Sequence, residues 1–331
     1  MFPQEIASTL TTLFKQDSRN VVVFLQGPPG IGKTATVGQA AARAKKELRT
    51  FPLPTIESVD LRGLPNIVNG VTKWASPLPK DGQGVLLLDE LSSAAPDVQV
   101  AAHHLVHAEP GSDMSLPAGW HLVLTGNGAT DKTLYRATSA PLRNRLVTIG
   151  VEADVAQWAN WAMDNSISPV VVGFLRFRPE LLVAKEIPGE GAFPSPRSWE
   201  ATSNILSLGT SPTIERELLH GTIGESATVE FSAYLATARD LPRIESILES
   251  QSKAPIPTSP ALRYALVTSL AQYTREHGKS AMTYIKRMPK EFASLYVMDV
   301  RRGGYDIRKD KGIGEWIAEN PKMFATETVA A

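Results

Sequence analysis

The stretch "GPPGIGKT", Gly27 to Thr34, is the most informative part of this sequence. It fits G-x-x-x-x-G-K-[ST] and lies between a β-branched run, Val21–Gln26, and an Ala-rich helical run, Thr34–Leu48. Glycines let backbone N–H groups close around phosphate groups, and the helix N-terminus adds the positive end of its dipole. We therefore predict a phosphate-binding loop that consists of Gly27, Pro28, Pro29, Gly30, Ile31, Gly32, Lys33 and Thr34.

A second segment, "VLLLDE", supplies the carboxylates that such a loop needs. In the loop, Lys33 would contact the β- and γ-phosphates and Thr34 would ligate Mg²⁺. Asp89 ends the apolar run and is the second predicted Mg²⁺ ligand, while the adjacent Glu90 can polarise the attacking water. The guanine-reading pattern N-K-x-D is absent from the sequence, which favours ATP as the nucleotide.

Strand and helix patterns alternate in the first half of the chain. Val85–Asp89, His121–Thr125 and Leu146–Val151 are continuous apolar runs, which are typical of strands buried on both faces of a parallel sheet. The run Val98–Ala108 between them is helical in character. This alternation predicts an α/β layer structure. From residue 155 onward helical patterns dominate, over Val155–Asp164, Pro169–Ala184, Pro196–Leu208, Ile214–Leu219 and Ala227–Arg239, and Ser252–Leu262 reads as a linker or sharp turn.

Four polar residues outside these two segments are further site candidates. Asn127 follows the predicted strand "HLVLT", where its amide could orient a water molecule beside the γ-phosphate. Arg143 and Arg145 precede the predicted strand Leu146–Val151 and would face the nucleotide of a neighbouring subunit. Alternatively, they form only a surface ion pair or cap the C-terminus of a helix. Arg197 lies in the first turn of a predicted helix, from which it could reach the γ-phosphate.

Composition narrows the class of protein. The chain has 331 residues and equal numbers of basic and acidic side chains, 34 of each, so its formal net charge is zero. A neutral sum argues against a surface that tracks nucleic acid throughout. The sequence contains no cysteine, which excludes disulfides and thiolate zinc sites and favours a reducing compartment. We see no signal-peptide pattern and no apolar run of roughly 20 residues, so we expect a cytoplasmic protein without a membrane span.

The motifs together resemble those of an AAA+ ATPase. In family order, "GPPGIGKT", "VLLLDE", "TGN", "APLRNRL" and "SPRSW" are similar to Walker A, Walker B, sensor 1, arginine-finger and sensor 2 motifs. The segment running from "SVDLRGLPN" into Walker B resembles the MoxR-like group, whereas "PLRNRL" also looks like the finger motif of RuvB-type motors. By this likeness Arg145 would act in trans, with Arg143 as the second candidate, and Arg197 would act in cis.

The resemblance implies an architecture and an assembly. We expect an AAA+ αβα domain with a five-stranded parallel sheet over residues 1–152, a helical lid over 153–240, and a helical C-terminal extension over 241–331. Members of the family usually form rings, often hexamers, with Mg²⁺ and ATP bound between subunits. MoxR-like members are similar to chaperones that remodel a client protein, often with a partner that carries a von Willebrand factor A domain.

Two other functions remain open at this point. A nucleic-acid motor or DNA-loading ATPase is the first, because the C-terminal region contains basic clusters, although acidic residues interleave with them. A nucleotide-dependent assembly scaffold with little turnover is the second, against which the intact Glu90 argues. We expect ATP hydrolysis coupled to remodelling of a partner protein.

Overall fold

The computed structural model describes residues 1–16, 21–109, 111–128, 136–239 and 241–321. The chain divides into two compact units. The first consists of Met1–Ala153 with Glu186–Gly189, and the second of Asp154–Lys185 with the described residues from Glu190 onward. Within these ranges, no helix combines the length and the apolar character that crossing a membrane requires.

The first unit is built on a parallel sheet. Its strands are β1 (Val22–Gln26), β2 (Glu47–Pro52), β3 (Leu64–Val68), β4 (Val71–Ala75), β5 (Gly84–Asp89), β6 (Trp120–Gly126) and β7 (Leu146–Gly150). Its α-helices are α1 (Pro3–Lys15), α2 (Lys33–Arg43), α3 (Ser58–Arg62), α4 (Pro96–Val106) and α5 (Ala140–Arg143). Five strands pair in parallel in the order β2-β5-β6-β1-β7, and β3 and β4 form a separate antiparallel hairpin. The predicted five-stranded parallel sheet is confirmed.

The centre of this sheet is buried on both faces. Val85 and Leu87 of β5 pack with side chains of α1 and α2, whereas Leu86 and Leu88 pack on the other face with side chains of α4. All four side chains are fully buried. A strand covered on both faces needs an apolar side chain at every position, which explains the continuous run "VLLL".

The prediction that Leu146–Val151 is a buried strand is wrong about its burial. The segment forms β7, but this strand is the last in the sheet order and pairs with β1 on one side, while β2 ends the opposite edge. Val147 and Thr148 are exposed. A strand at the edge of a sheet has a neighbour on one side only. A run of apolar residues therefore does not show by itself whether a strand is central and buried or lies at the edge.

The prediction of a single helix over Thr34–Leu48 is also wrong. Helix α2 ends at Arg43, because Lys45 adopts a left-handed backbone with φ 56°. The N–H of Lys46 donates to Ala41 O at 2.9 Å and that of Lys45 to Ala42 O at 3.0 Å, the bond pattern of a Schellman cap. The left-handed position of such a cap usually holds glycine, so the lysine gave no signal that the helix ends and β2 begins.

The second unit is helical. Its helices are α6 (Val155–Asp164), α7 (Pro169–Phe177), α8 (Pro196–Ser207), α9 (Pro212–Ile223), α10 (Glu225–Ala238), α11 (Ile244–Glu249), α12 (Pro260–His277), α13 (Met282–Ile285), α14 (Lys290–Arg302) and α15 (Lys311–Glu319). Helix α7 stops at Phe177 rather than at the predicted Ala184, because Pro179 disfavours helical backbone at the residue before it.

Helices from before and after residue 240 pack closely inside this unit. A Cβ on Gly173 of α7 would meet Ala265 Cα of α12 at 2.5 Å, so the two backbones approach more closely than any other residue would allow. Phe174 packs against Trp199 and Phe231, with ring centroids 5.6 and 5.0 Å apart. The helices beyond α11 share a further buried apolar cluster.

A buried ion pair links three of these helices. The guanidinium of Arg176 on α7 donates to both carboxylate oxygens of Asp299 on α14, at 2.7 and 2.8 Å, and to Thr268 Oγ1 on α12 at 2.8 Å. Both charged side chains are buried. Burial of a charge is tolerated when such hydrogen bonds compensate it, so removing one partner leaves the other charge uncompensated.

We therefore expect Asp299→Ala to lower the free energy of unfolding by about 3–5 kcal/mol. The matched control is Asp164→Ala, which removes the exposed partner of Arg275 and should cost less than about 1 kcal/mol. Urea unfolding followed by tryptophan fluorescence measures both. Equal midpoints for the two variants would contradict the expectation.

Candidate functional site

The loop between β1 and α2 has a backbone that only glycine fits well. Gly30 and Gly32 adopt left-handed conformations, with φ 74° and 100°. A Cβ on Gly27 would lie 2.8 Å from Val151 O, whereas one on Gly32 would meet nothing within 4 Å. The loop therefore packs tightly at its start and opens onto free space at the N-terminus of α2, where backbone N–H groups can bind an anion.

Lys33 connects the loop with the end of strand β6. Its ammonium group is buried and donates to Gly27 O at 2.6 Å, to Pro28 O at 2.9 Å and to Asn127 Oδ1 at 3.2 Å. The predicted phosphate-binding lysine and the predicted sensor residue thus lie in contact, although 94 positions separate them. Asn127 is itself buried.

The predicted magnesium ligands also lie together. Thr34 Oγ1 is 3.1 Å from Asp89 Oδ1 and 2.9 Å from Asp89 Oδ2. A hydroxyl and a carboxylate are oxygen ligands of the kind that Mg²⁺ prefers, and Mg²⁺ usually keeps waters and phosphate oxygens as its other ligands. Together with the open end of the loop, this donor set fits a Mg²⁺–nucleotide complex.

Glu90 follows Asp89 in an unusual backbone conformation. Its φ of 62° and ψ of 42° are left-handed, and its side chain is exposed. For a residue with a Cβ this conformation costs roughly 1–2 kcal/mol. Such strain occurs often at functional sites, where the surrounding structure maintains it.

Two residues of the site were not predicted from the sequence. Thr125, at the end of β6, is fully buried and contacts both Asp89 and the backbone of Glu90. Ser92 Oγ accepts a hydrogen bond of 2.7 Å from the backbone N–H of Asn127. The available signal was position: the carboxyl ends of neighbouring parallel strands meet at one edge of a sheet, and "HLVLT" ends there in a hydroxyl.

The two arginines of the predicted finger lie at the amino ends of the strands, opposite to the ends that carry the phosphate loop. Leu146 pairs with Val22, at the amino end of β1, whereas the phosphate loop follows the carboxyl end of that strand. The length of β1, about 13 Å at 3.3 Å per residue, separates the amino ends of the strands from their carboxyl ends. Arg143 and Arg145 are both exposed, and neither is brought to the loop of its own chain.

Their surroundings differ. Arg143 Nη1 donates to Thr138 O at 2.5 Å, which engages this side chain within its own chain. Burial is the largest cause that lowers the pKa of His103 on α4, followed by the charges of His107, His104 and Arg145. The rings of His103 and His107 lie 4.0 Å apart.

Arg197 belongs to the second unit. It occupies the first turn of α8 and is exposed. The helix begins with a capping box, in which the Ser195 and Ser198 side chains bond to each other's backbone N–H groups, and the indole of Trp199 is buried. The predicted cap at Ser195 is therefore present, and the predicted contact of Arg197 with a nucleotide stays a prediction.

Comparisons with known proteins bear on the first unit. Residues 22–127 match the family model described as an AAA domain of the dynein-related subfamily. The search of curated proteins finds no match. Among solved structures, the chain is similar to the RuvB Holliday junction branch migration motor of Thermotoga maritima, with 16% identity, 86% of each chain covered and a TM-score of 0.41. It is also similar to NtrX from Brucella abortus, with 15% identity, 91% of this chain and 67% of that chain covered, and a TM-score of 0.39.

The family model spans β1, the phosphate loop, β5 and β6, which are the elements that carry Lys33, Asp89 and Asn127. The five-stranded parallel sheet supports these elements in the order described above. The chain therefore has the P-loop AAA+ fold, and its residues 22–127 match the model of an AAA domain.

Proposed function

We propose that this chain is an ATP-hydrolysing AAA+ protein of MoxR-like type, which assembles into a hexameric ring and remodels or activates a partner protein. The observation that carries the proposal is the contact of Lys33 with Asn127 beside the Thr34–Asp89 pair. It gathers a phosphate-binding cation, a polar sensor and two Mg²⁺ ligands at one end of the sheet, next to the base candidate Glu90.

In this proposal each residue has one task. When bound, Mg²⁺–ATP supplies the phosphoanhydride bond and a cation that neutralises charge on the phosphoryl oxygens. Lys33, which donates to the carbonyls of Gly27 and Pro28, would donate to phosphate oxygens instead, and Thr34 and Asp89 would hold the cation. Glu90 accepts a hydrogen bond from the attacking water, which increases the nucleophilicity of that water.

The remaining assignments concern the neighbours of the nucleotide. Asn127 orients the attacking water, Arg145 reaches the nucleotide of the next subunit, and Arg197 contacts that of its own chain. In support, the finger arginines are exposed and far from their own loop. Residues 153–240 would act as the lid and residues 241–331 as its helical C-terminal extension.

The β3–β4 hairpin has an exposed apolar surface that suits the binding of a partner protein. Leu64, Ile67 and Val71 are exposed to 63%, 77% and 60%. Clusters of exposed apolar side chains commonly mark surfaces that bind other proteins. We propose that this surface binds a client protein, and a protein that carries a von Willebrand factor A domain is the first class to test. We also propose the cytoplasm as the compartment, because a chain without cysteine suits a reducing environment.

Phosphate release by the purified chain tests the proposal directly. We expect turnover that requires both ATP and Mg²⁺, and sedimentation velocity should detect a larger species with ATP than without it. Assembly without turnover would favour the scaffold. Stimulation by DNA with a steep salt dependence would favour a nucleic-acid motor. A chain that neither hydrolyses ATP nor assembles would contradict the proposal.

A further inference from the structure

The hydroxyl of Thr125 lies between the Asp89 carboxylate and the backbone N–H of Glu90. Leu88 pairs with Leu124 in the register of β5 and β6, so Asp89 and Thr125 are the next residues on the two neighbouring strands. Thr125 is fully buried. Its hydroxyl is therefore held beside Asp89 by the sheet itself.

One hydroxyl makes two hydrogen bonds of opposite sense. Thr125 Oγ1 donates to Asp89 Oδ1 and accepts the backbone N–H of Glu90 at 3.0 Å. A hydroxyl has both donor and acceptor capacity, so a single group can satisfy both neighbours. Valine has a similar shape but neither capacity, whereas serine retains both.

Thr34 cannot replace Thr125 in this arrangement. Thr34 Oγ1 also bonds to Asp89, but it lies at the start of α2 and its oxygen is the proposed cation ligand. It makes no contact of the kind that Thr125 makes with the Glu90 backbone. The backbone N–H of Glu90, a residue in a left-handed conformation, therefore depends on Thr125 for its hydrogen bond.

We infer that Thr125 is a positioning residue that sets the orientation of the Asp89 carboxylate and the backbone of Glu90 at the same time. The inference rests on the proposed function, because it assigns Thr125 to the hydrolytic step. A bond to the peptide of Glu90 fixes the direction in which its side chain leaves the strand. Thr125 thereby couples the cation ligand to the base without contacting the nucleotide.

The first test separates chemistry from nucleotide binding. Thr125→Val should lower kcat about 10–100-fold, as is typical for outer-shell partners of metal ligands. The KM for ATP should stay close to the wild-type value, because Lys33 and the loop are unchanged. Thr125→Ser should restore kcat. Thr228→Val is the matched control: it removes a hydroxyl buried in the second unit that has no hydrogen-bond partner among the described residues, and should leave the kinetics unchanged.

The second test needs no nucleotide. Hydrogen exchange of the Glu90 amide, followed by NMR in the nucleotide-free protein, should be faster in Thr125→Val than in the wild type. Thr125→Ser should keep the slow wild-type exchange. The amides of Leu86 and Leu87 inside β5 should exchange slowly in all three proteins, because the sheet itself is intact.

Wild-type kcat in Thr125→Val, or a Thr125→Ser variant as slow as Thr125→Val, would overturn the inference. If Thr125→Val does not fold, Thr125→Ala replaces it and the same outcomes apply. If the wild-type chain itself shows no ATP turnover, the proposed function fails and the exchange comparison alone decides. Unchanged exchange of the Glu90 amide would then overturn the role of Thr125, and faster exchange that serine reverses would support it.

Discussion

An Arg145→Ala variant is expected to hydrolyse ATP about 10³–10⁵-fold more slowly than the wild-type chain, while its own site still binds ATP. The reason is charge: phosphoryl transfer spreads negative charge over the γ-phosphoryl oxygens, and a guanidinium with its permanent charge stabilises it. In this chain Arg145 is exposed at the amino ends of the strands, whereas its own phosphate loop follows the carboxyl end of β1. We therefore expect it to serve the neighbouring subunit. Phosphate release and nucleotide binding measure the two parts of the expectation.

Mixing two inactive variants tests the trans assignment. Arg145→Ala subunits keep Glu90, and Glu90→Gln subunits keep Arg145. In a mixed ring, a Glu90→Gln neighbour lends its arginine to the intact site of an Arg145→Ala subunit, so activity should return. The control mixture uses Glu90→Gln subunits that also carry Arg145→Ala, and should stay inactive. No recovery in the first mixture would contradict a trans role.

Arg143 provides the comparison within the same segment. Its guanidinium already bonds to Thr138 O, so Arg143→Ala should change turnover far less than Arg145→Ala. If Arg143→Ala is instead the variant that the mixing experiment rescues, the finger is Arg143. If neither variant is rescued, the nucleotide does not lie between subunits as proposed.

Glu90→Gln is expected to retain ATP binding and to lower turnover by about 10²–10⁴-fold, the usual contribution of a general base. Glutamine keeps the shape of the side chain, but its neutral amide cannot polarise water as a carboxylate does. The loop, Lys33 and Asp89 are unchanged, so affinity for ATP should be preserved. Equilibrium binding of a fluorescent ATP analogue, alongside single-turnover hydrolysis, measures the two effects separately.

A matched control and a second readout sharpen this prediction. Glu47→Gln alters an exposed carboxylate at the amino end of β2 and should hydrolyse ATP normally. Normal turnover in Glu90→Gln would contradict its assignment as the base. With ATP, Glu90→Gln should also retain a partner protein that the same variant without ATP releases, and the absence of any ATP-dependent partner would contradict the remodelling half of the proposal.

The elements that could be predicted from the sequence are those with one strong local cause. The loop Gly27–Thr34 needs its glycines because of backbone geometry, and β5 needs a continuous apolar run because both of its faces are covered. Strand β2 and the β3–β4 hairpin were not predicted, because their side chains are largely exposed and follow no clear period. The end of α2 at Lys45 was missed because a lysine occupies a position that usually holds glycine.

Local sequence patterns were enough to predict the phosphate loop, the buried centre of the sheet and the order of the site residues along the chain. Which of these residues contact one another depends on the tertiary structure. The contact of Lys33 with Asn127 joins segments that are far apart in the chain. The hydrogen bonds of Thr125 with Asp89 and with the backbone of Glu90 do the same. Parallel pairing of β1, β5 and β6 brings the carboxyl ends of these strands together, and the site lies there. Pairing of β7 with β1 places Arg145 at the amino ends of the strands instead. Local patterns record backbone preference and burial, but strand order depends on how the whole chain packs.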